Sequence, residues 1–217
     1  MFNGLFIVLE GGDYAGKKIQ SIHLAEHFLN LSEDNDILVT HEPTKRAKEI
    51  KRKLKEDESA YADAERMAEL YVEDRVYHSI NLIKPNLDKG AIVIGNRYFL
   101  STLVYQSLQG VSLSKLVDMH LRPNILAPDL TILLDISPET GDQRSESRTE
   151  APEKKFERKA FRDSVYQQYR EVANSNLYRE TFGWVEFVDG NKTQEEVFDQ
   201  IRILTEPVYN SWVKHFS

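Results

Sequence analysis

The segment Leu5-Phe6-Ile7-Val8-Leu9-Glu10-Gly11-Gly12-Asp13-Tyr14-Ala15-Gly16-Lys17-Lys18 constrains this chain more than any other. An apolar run that reads as a strand buried on both faces turns through Gly11, Gly12 and Gly16 into a helical pattern starting near Lys17. Glycines let the backbone approach an anion, successive N–H groups line the hollow, and a helix N-terminus adds partial positive charge. The spacing Gly11-x-x-x-x-Gly16-Lys17 fits the phosphate-loop template, so Gly11, Gly12, Asp13, Tyr14, Ala15, Gly16, Lys17 and Lys18 are expected around the phosphates of a nucleotide. Lys17 supplies the full charge. Lys18 stands where the template has a Ser or Thr whose hydroxyl reaches Mg2+, and an ammonium cannot ligate a cation. Binding a nucleotide and turning it over with magnesium are therefore separate expectations.

The rest of the chain repeats the strand-then-helix rhythm. Short apolar runs at 37–40, 91–95, 130–135 and 184–188 read as four further strands, separated by helical patterns at 46–58, 62–82, 111–121 and 165–172 and followed by one at 195–204. This alternation predicts βαβ crossovers and a parallel sheet covered on both faces. In the first helix Ile19, Ile22, Ala25, Phe28 and Leu29 are expected to pack on the sheet, with Gln20, Glu26 and Asn30 facing out. His23 and His27 read as ordinary helix residues rather than a metal pair. Ligands in open α/β sheets meet the carboxyl ends of strands, which favours Glu42 in His41-Glu42-Pro43; the third strand ends in Asn96-Arg97-Tyr98, followed by Ser101, Thr102, Tyr105 and Gln106. Pro85 and Gly90 are expected to punctuate the approach to the third strand, and Arg75, which follows Glu73 and Asp74, could simply pair with a neighbouring acid. From about 143 to 162 the sequence is dense in charge, including Arg144, Arg148, Lys154, Lys155 and Arg162. Such a segment can close over a polyphosphate as a lid, or form an ordinary charged helix–loop–helix.

With 217 residues the chain reads as one domain, 1–217. A formal charge of −7 argues against a nucleic-acid binder, since backbone binding needs broad positive charge. The absence of cysteine excludes disulfides and thiolate metal sites. No bilayer-spanning run and no leader pattern is read, so no membrane association and a cytoplasmic location are expected. No protein-held metal site is expected.

Several ordered motifs resemble the thymidylate kinase family over nearly the whole chain: Phe6 to Gln20, His41-Glu42-Pro43, Tyr71 to Arg75, Asn96-Arg97-Tyr98 through Tyr105-Gln106, and Pro128-Asp129-Leu130 through Glu139. The resemblance implies a P-loop nucleoside-monophosphate-kinase-like, three-layer α/β fold with a five-stranded parallel sheet. It also implies transfer of the ATP γ-phosphoryl group to dTMP, giving dTDP. Tyr71 would flank the thymine, Arg75 would hydrogen-bond it, and Ser101, Thr102, Tyr105 and Gln106 would line its pocket beside Glu42. Arg97 would grip the 5′-phosphate, Asp13 the sugar hydroxyl, and Lys17 the transferring phosphoryl, while Arg144, Arg148 and the other lid cations would cover ATP. The implied catalytic set is Lys17, Arg97, Arg144 and Arg148, and the implied assembly is a homodimer. Four departures from the family pattern stand out: Lys18 for a hydroxyl, Asn96 for an Asp near the magnesium ion, Lys154-Lys155 in the lid, and His41 for an arginine. Mg2+ would then be held mainly through ATP oxygens and water, with Lys18 adding charge. A catalytically impaired nucleotide-binding paralogue and a kinase for another (deoxy)nucleotide stay open as alternatives.

Overall fold

Strand β1 (Leu5–Glu10) is buried at every position because each of its two faces meets a separate core. Leu5, Ile7 and Leu9 join one cluster, Phe6 and Val8 the other, following the two-residue period of a strand. The computed structural model describes residues 3–56, 63–122, 124–146 and 159–216. Along these, β1 is followed by α1 (Lys17–Leu31), β2 (Ile37–His41), α2 (Lys48–Glu56), α3 (Ala64–His78), a π-helical turn (Ser79–Ile83) and α4 (Lys84–Leu87). Next come β3 (Ile92–Asn96), α5 (Phe99–Leu108), α6 (Leu113–His120), β4 (Leu130–Asp135) and α7 (Pro138–Glu146). The chain continues through α8 (Lys159–Asn174), α9 (Asn176–Phe182), β5 (Val185–Asp189) and α10 (Gln194–Phe216).

The strands form one parallel sheet in the order β2-β3-β1-β4-β5, so the expected three-layer α/β architecture with five parallel strands is what the chain adopts. On one face α1 and α10 pack over Ile7, Leu9, Ile94, Ile132 and Leu134. On the other, α3, α5, α6, α8 and α9 enclose Phe6, Val8, Val93 and Leu133. Connections leave β1 toward β2 and β4 toward β5, in opposite directions, which opens a crevice at their carboxyl ends.

The structure corrects the expected orientation of α1. Its buried face carries Lys17, Gln20, Ser21, Leu24 and Phe28, while Ile19, Ile22 and Leu29 are exposed. The register is set by Lys17, which must turn inward to the loop and so carries the residues at helical spacing from it to the inside. The two polar residues on that face are bonded: Gln20 Nε2 donates to Gln194 O (2.9 Å) and Ser21 Oγ to Lys17 O (2.8 Å).

The helical pattern at 62–82 also runs further than expected. After the described part of α3 the chain widens into the π-helical turn, in which Lys84 N–H reaches Ser79 O, five residues back. Pro85, lacking an N–H, then sits in the first turn of α4, where none is required. Helices α5 and α9 and the part of α7 before residue 143 have no counterpart in the expected pattern, and α10 continues well beyond residue 204.

Candidate active site

The loop after β1 owes its shape to contacts that exclude side chains. Gly11 has φ 141°, and a Cβ there would lie 2.8 Å from Leu134 O. At Gly12 a Cβ would fall 2.3 Å from the Tyr166 ring of α8, whose hydroxyl donates to Asp13 O (3.0 Å). Gly16 (φ 91°) caps α1 without a side-chain bond, and among the described residues no acceptor takes the N–H of Gly16 or Lys18. Those N–H groups lie at the N-terminus of α1, where a loop of this kind can receive an anion. Lys17, 7% exposed, is held on the loop by Gly11 O (2.9 Å) and Gly12 O (2.7 Å).

Beside the loop stands Arg97, directly after β3 and in the left-handed region at φ 68°, a conformation that costs a non-glycine residue about 1 kcal/mol or more. Its guanidinium donates to Gly11 O (3.2 Å), Ser101 Oγ (3.1 Å) and Tyr169 OH (3.0 Å), and it pairs with Asp13. Burial opposes its charge, but Tyr105, Tyr169, Asp13 and Glu10 outweigh that and raise its pKa well above the usual arginine value. Glu10, which the sequence reading left without a role, ends β1 on the α5 side and is fully buried. It accepts from the N–H of Tyr98 (2.7 Å) and of Ser101 (3.2 Å) and from Ser101 Oγ (2.6 Å). The carboxylate thus caps the start of α5 and fixes the backbone on which Arg97 is strained. A charged residue closing an otherwise apolar strand was the available signal.

A cavity of about 660 Å3 opens on the α3–α5 side, lined by Asp13, Glu42, Leu54, Tyr71, Arg75, Arg97, Ser101, Thr102, Tyr105 and Gln106 among others. It brings together every residue expected in the base pocket. Gln106 is 1% exposed, and its Oε1 has no hydrogen-bond partner among the described residues. Arg75 pairs not with an acid nearby in sequence but with Glu42, Nε to Oε2 at 2.8 Å. Its guanidinium also donates to Tyr98 O (2.8 Å) and Thr102 Oγ1 (3.1 Å) and contacts His120 Nε2. Glu42 Oε1 lies 3.0 Å from His78 Nδ1, and His78 Nε2 2.8 Å from Thr40 Oγ1. Burial, then Arg75, lowers the pKa of His120 to about 3.

A second cavity, about 1550 Å3, lies on the α1 side between the loop and the ends of β2 and β3, and is lined by Lys17, Lys18, His41, Asn96 and others. The two cavities share Asp13, Glu42 and Arg97. On the far side of the loop Arg144 donates to Tyr14 O (3.3 Å) and Gly190 O (2.7 Å), tying α7 to the loop and to the exit of β5. Arg162 pairs with Asp142 near the Tyr14 ring. Arg148, Lys154 and Lys155 lie outside the described residues; within 143–162 the described parts are helical. His23 and His27 are half-buried against Phe198, and no group of three or more acidic or His ligands occurs among the described residues.

A divalent cation does not fit this donor set as a protein-held ion. Positions 18 and 96 carry an ammonium and an amide, Asp13 is engaged by Arg97, and Glu42 by Arg75 and His78.

Comparison with known proteins agrees with this geometry. The family model described as thymidylate kinase matches residues 9–201. The thymidylate kinase of Carboxydothermus hydrogenoformans is 35% identical over 204 residues, covering 92% of this chain and 95% of that protein. That of Ruegeria pomeroyi is 34% identical, covering 89% and 90%, and that of Wolbachia pipientis 32% identical, covering 91% and 96%. A phosphate loop, an arginine shared by two cavities and a match along almost the full chain lead to one conclusion: the chain belongs to the thymidylate kinase family.

Proposed function

We propose that this protein transfers the γ-phosphoryl group of ATP to dTMP, giving dTDP and ADP. The observation that carries the reading is Arg97, shared by both cavities and fixed there by Glu10, Ser101 and Tyr169. The triphosphate lies over the hollow from Gly11 to Lys18, with its terminal phosphoryl at Lys17. The monophosphate enters the smaller cavity, its 5′-phosphate on the Arg97 fork, Asp13 toward the sugar, and the base among Tyr71, Arg75, Ser101, Thr102, Tyr105 and Gln106. The orphaned Gln106 Oε1 suits a base that presents an N–H, as thymine does at N3. A 5′-phosphate oxygen of dTMP then bonds to Pγ as the bond from Pγ to the β,γ-bridging oxygen breaks, and ADP leaves. The protein's part is positioning and charge neutralisation. Arg144 holds the loop on the ATP side, and Arg148 completes the set of lid cations. Magnesium enters with ATP, through phosphate oxygens and water.

ADP release in the presence of dTMP and ATP tests the reading. The natural chain should release ADP only when dTMP is present, and Lys17→Ala should lower the rate by about 100-fold or more. Background release with Mg2+ and Mn2+ alike would reject it. The pairing of Lys18 with Asn96 favours one other reading, a nucleotide-binding relative without turnover, which tight ATP binding with no ADP release would select. A panel of monophosphates in thermal-shift measurements reads out base preference. The reading also takes the chain to be a cytoplasmic homodimer; among the described residues no helix is long and apolar enough to cross a membrane.

A further inference from the structure

The reaction above assigns no contact to the side chain of Lys18, the last residue of the loop. Its side chain is exposed in the wall of the larger cavity, with no hydrogen bond or ion pair to another described residue. Opposite it, His41 and Asn96 are register partners at the carboxyl ends of β2 and β3. A phosphate loop that works through a divalent ion places a hydroxyl after its lysine and an acid on a neighbouring strand. Here both positions have changed together, and both acids in the cavity wall are already paired with arginine. Burial lowers the pKa of His41 first, and Lys51, His78 and Lys45 lower it further against an opposing pull from Asp74. Lys51 and Lys45 thus add positive charge near this wall, which opposes a bound divalent cation.

We infer that the hollow accepts the metal-free polyphosphate chain of a nucleoside triphosphate, the Lys18 ammonium occupying the place from which other phosphate loops contact the metal ion. This rests on the kinase reading only for where the triphosphate lies. An ammonium contact to a phosphate oxygen is worth roughly ten- to a hundredfold in affinity. The natural chain should therefore lose little when magnesium is removed, where a metal-dependent loop would lose much.

Calorimetric titration of the full chain with ATP, in excess EDTA and in Mg2+, tests this without reference to turnover. The expected result is a Kd in EDTA less than about fivefold weaker than in Mg2+ for the natural chain. Lys18→Met should weaken binding in EDTA by more than about fivefold, and Lys18→Arg should keep it within that range. Lys18→Thr combined with Asn96→Asp should shift the preference toward Mg2+. A loss of about fivefold or more in EDTA by the natural chain, or an unchanged metal-free Kd in Lys18→Met, would overturn the inference. The comparison on the natural chain stands whether or not a variant folds. Metal-free ATP binding without dTMP-dependent ADP release would instead reject the kinase reading and leave this one intact.

Discussion

At the scale of single residues, the wall of the smaller cavity rests on a buried ionic relay rather than on isolated contacts. Leu116 O can only accept, so His120 Nδ1, 2.6 Å away, carries the ring proton and leaves Nε2 as the acceptor for Arg75. Protonating His120 would put two cations face to face, which agrees with its depressed pKa. The sign of the resulting pH dependence follows. Because the folded-state value of about 3 lies below the ordinary 6.5, the unfolded chain binds more protons between them, and stability falls as pH drops below 6.5. His120 should account for on the order of 2 kcal/mol of loss by pH 5. Urea denaturation of the natural chain and of His120→Gln, which keeps an acceptor for Arg75, should show the smaller slope between pH 6.5 and 5 in the variant. Parallel curves would remove His120 from the account. None of this pairing was legible in sequence: Glu42 and His120 lie 33 and 45 residues from Arg75.

At the scale of elements, α5 shows how a strand end and a helix start are joined. Its sequence, Phe99 to Leu108, is buried on almost every side, so no amphipathic period marked it, and only its pocket residues were picked out. What stabilises its first turn is Glu10, from 88 residues earlier in the chain, accepting the Tyr98 N–H. Glu10→Gln keeps the shape but loses the charge and one acceptor, and should cost about 2 kcal/mol in chemical denaturation. It should also weaken dTMP binding more than ATP binding in calorimetry, because the Arg97 backbone is built on this turn. Equal losses for both nucleotides would contradict that order. In α1 the helical spacing and the burial of Phe28 follow from periodicity, whereas the exposure of Ile19, Ile22 and Leu29 and the burial of Gln20 do not. Periodicity alone gives no reason to bury Lys17 and Gln20, and the bonds that make it tolerable, to Gly11, Gly12 and Gln194, come from outside the helix.

At the scale of the whole molecule, the C-terminal helix closes one of the two cores. Expected to end near residue 204, α10 continues to Phe216, and Tyr209 stacks on Phe28 with ring centroids 5.2 Å apart. Trp212 Nε1 donates to Asn3 O (2.6 Å), and Val208 and Val213 complete the cover over Ile7 and Leu9. Removing residues 205–217 should destabilise the fold by on the order of 5 kcal/mol, comparable with the total stability of a domain. Loss of a cooperative unfolding transition, together with near-ultraviolet dichroism, checks this. A truncated chain that unfolds cooperatively near the natural midpoint would show the extension to be dispensable.

The sequence by itself determined what local chemistry can encode. Strand runs alternating with helical periods required a parallel α/β sheet, and the glycine spacing before Lys17 predicted a phosphate-binding loop after its first strand. It also marked Arg97, Tyr71, Tyr105 and Gln106 as neighbours of one pocket through their resemblance to a family. Only the tertiary structure decided which face of α1 is buried, that Arg75 is matched by Glu42 and His120, that Glu10 supports Arg97, and that Lys18 stands without a partner among the described residues. The reason is one of range: propensity and spacing act over a few residues, whereas a buried charge is tolerated only by the groups that packing brings to it from distant parts of the chain.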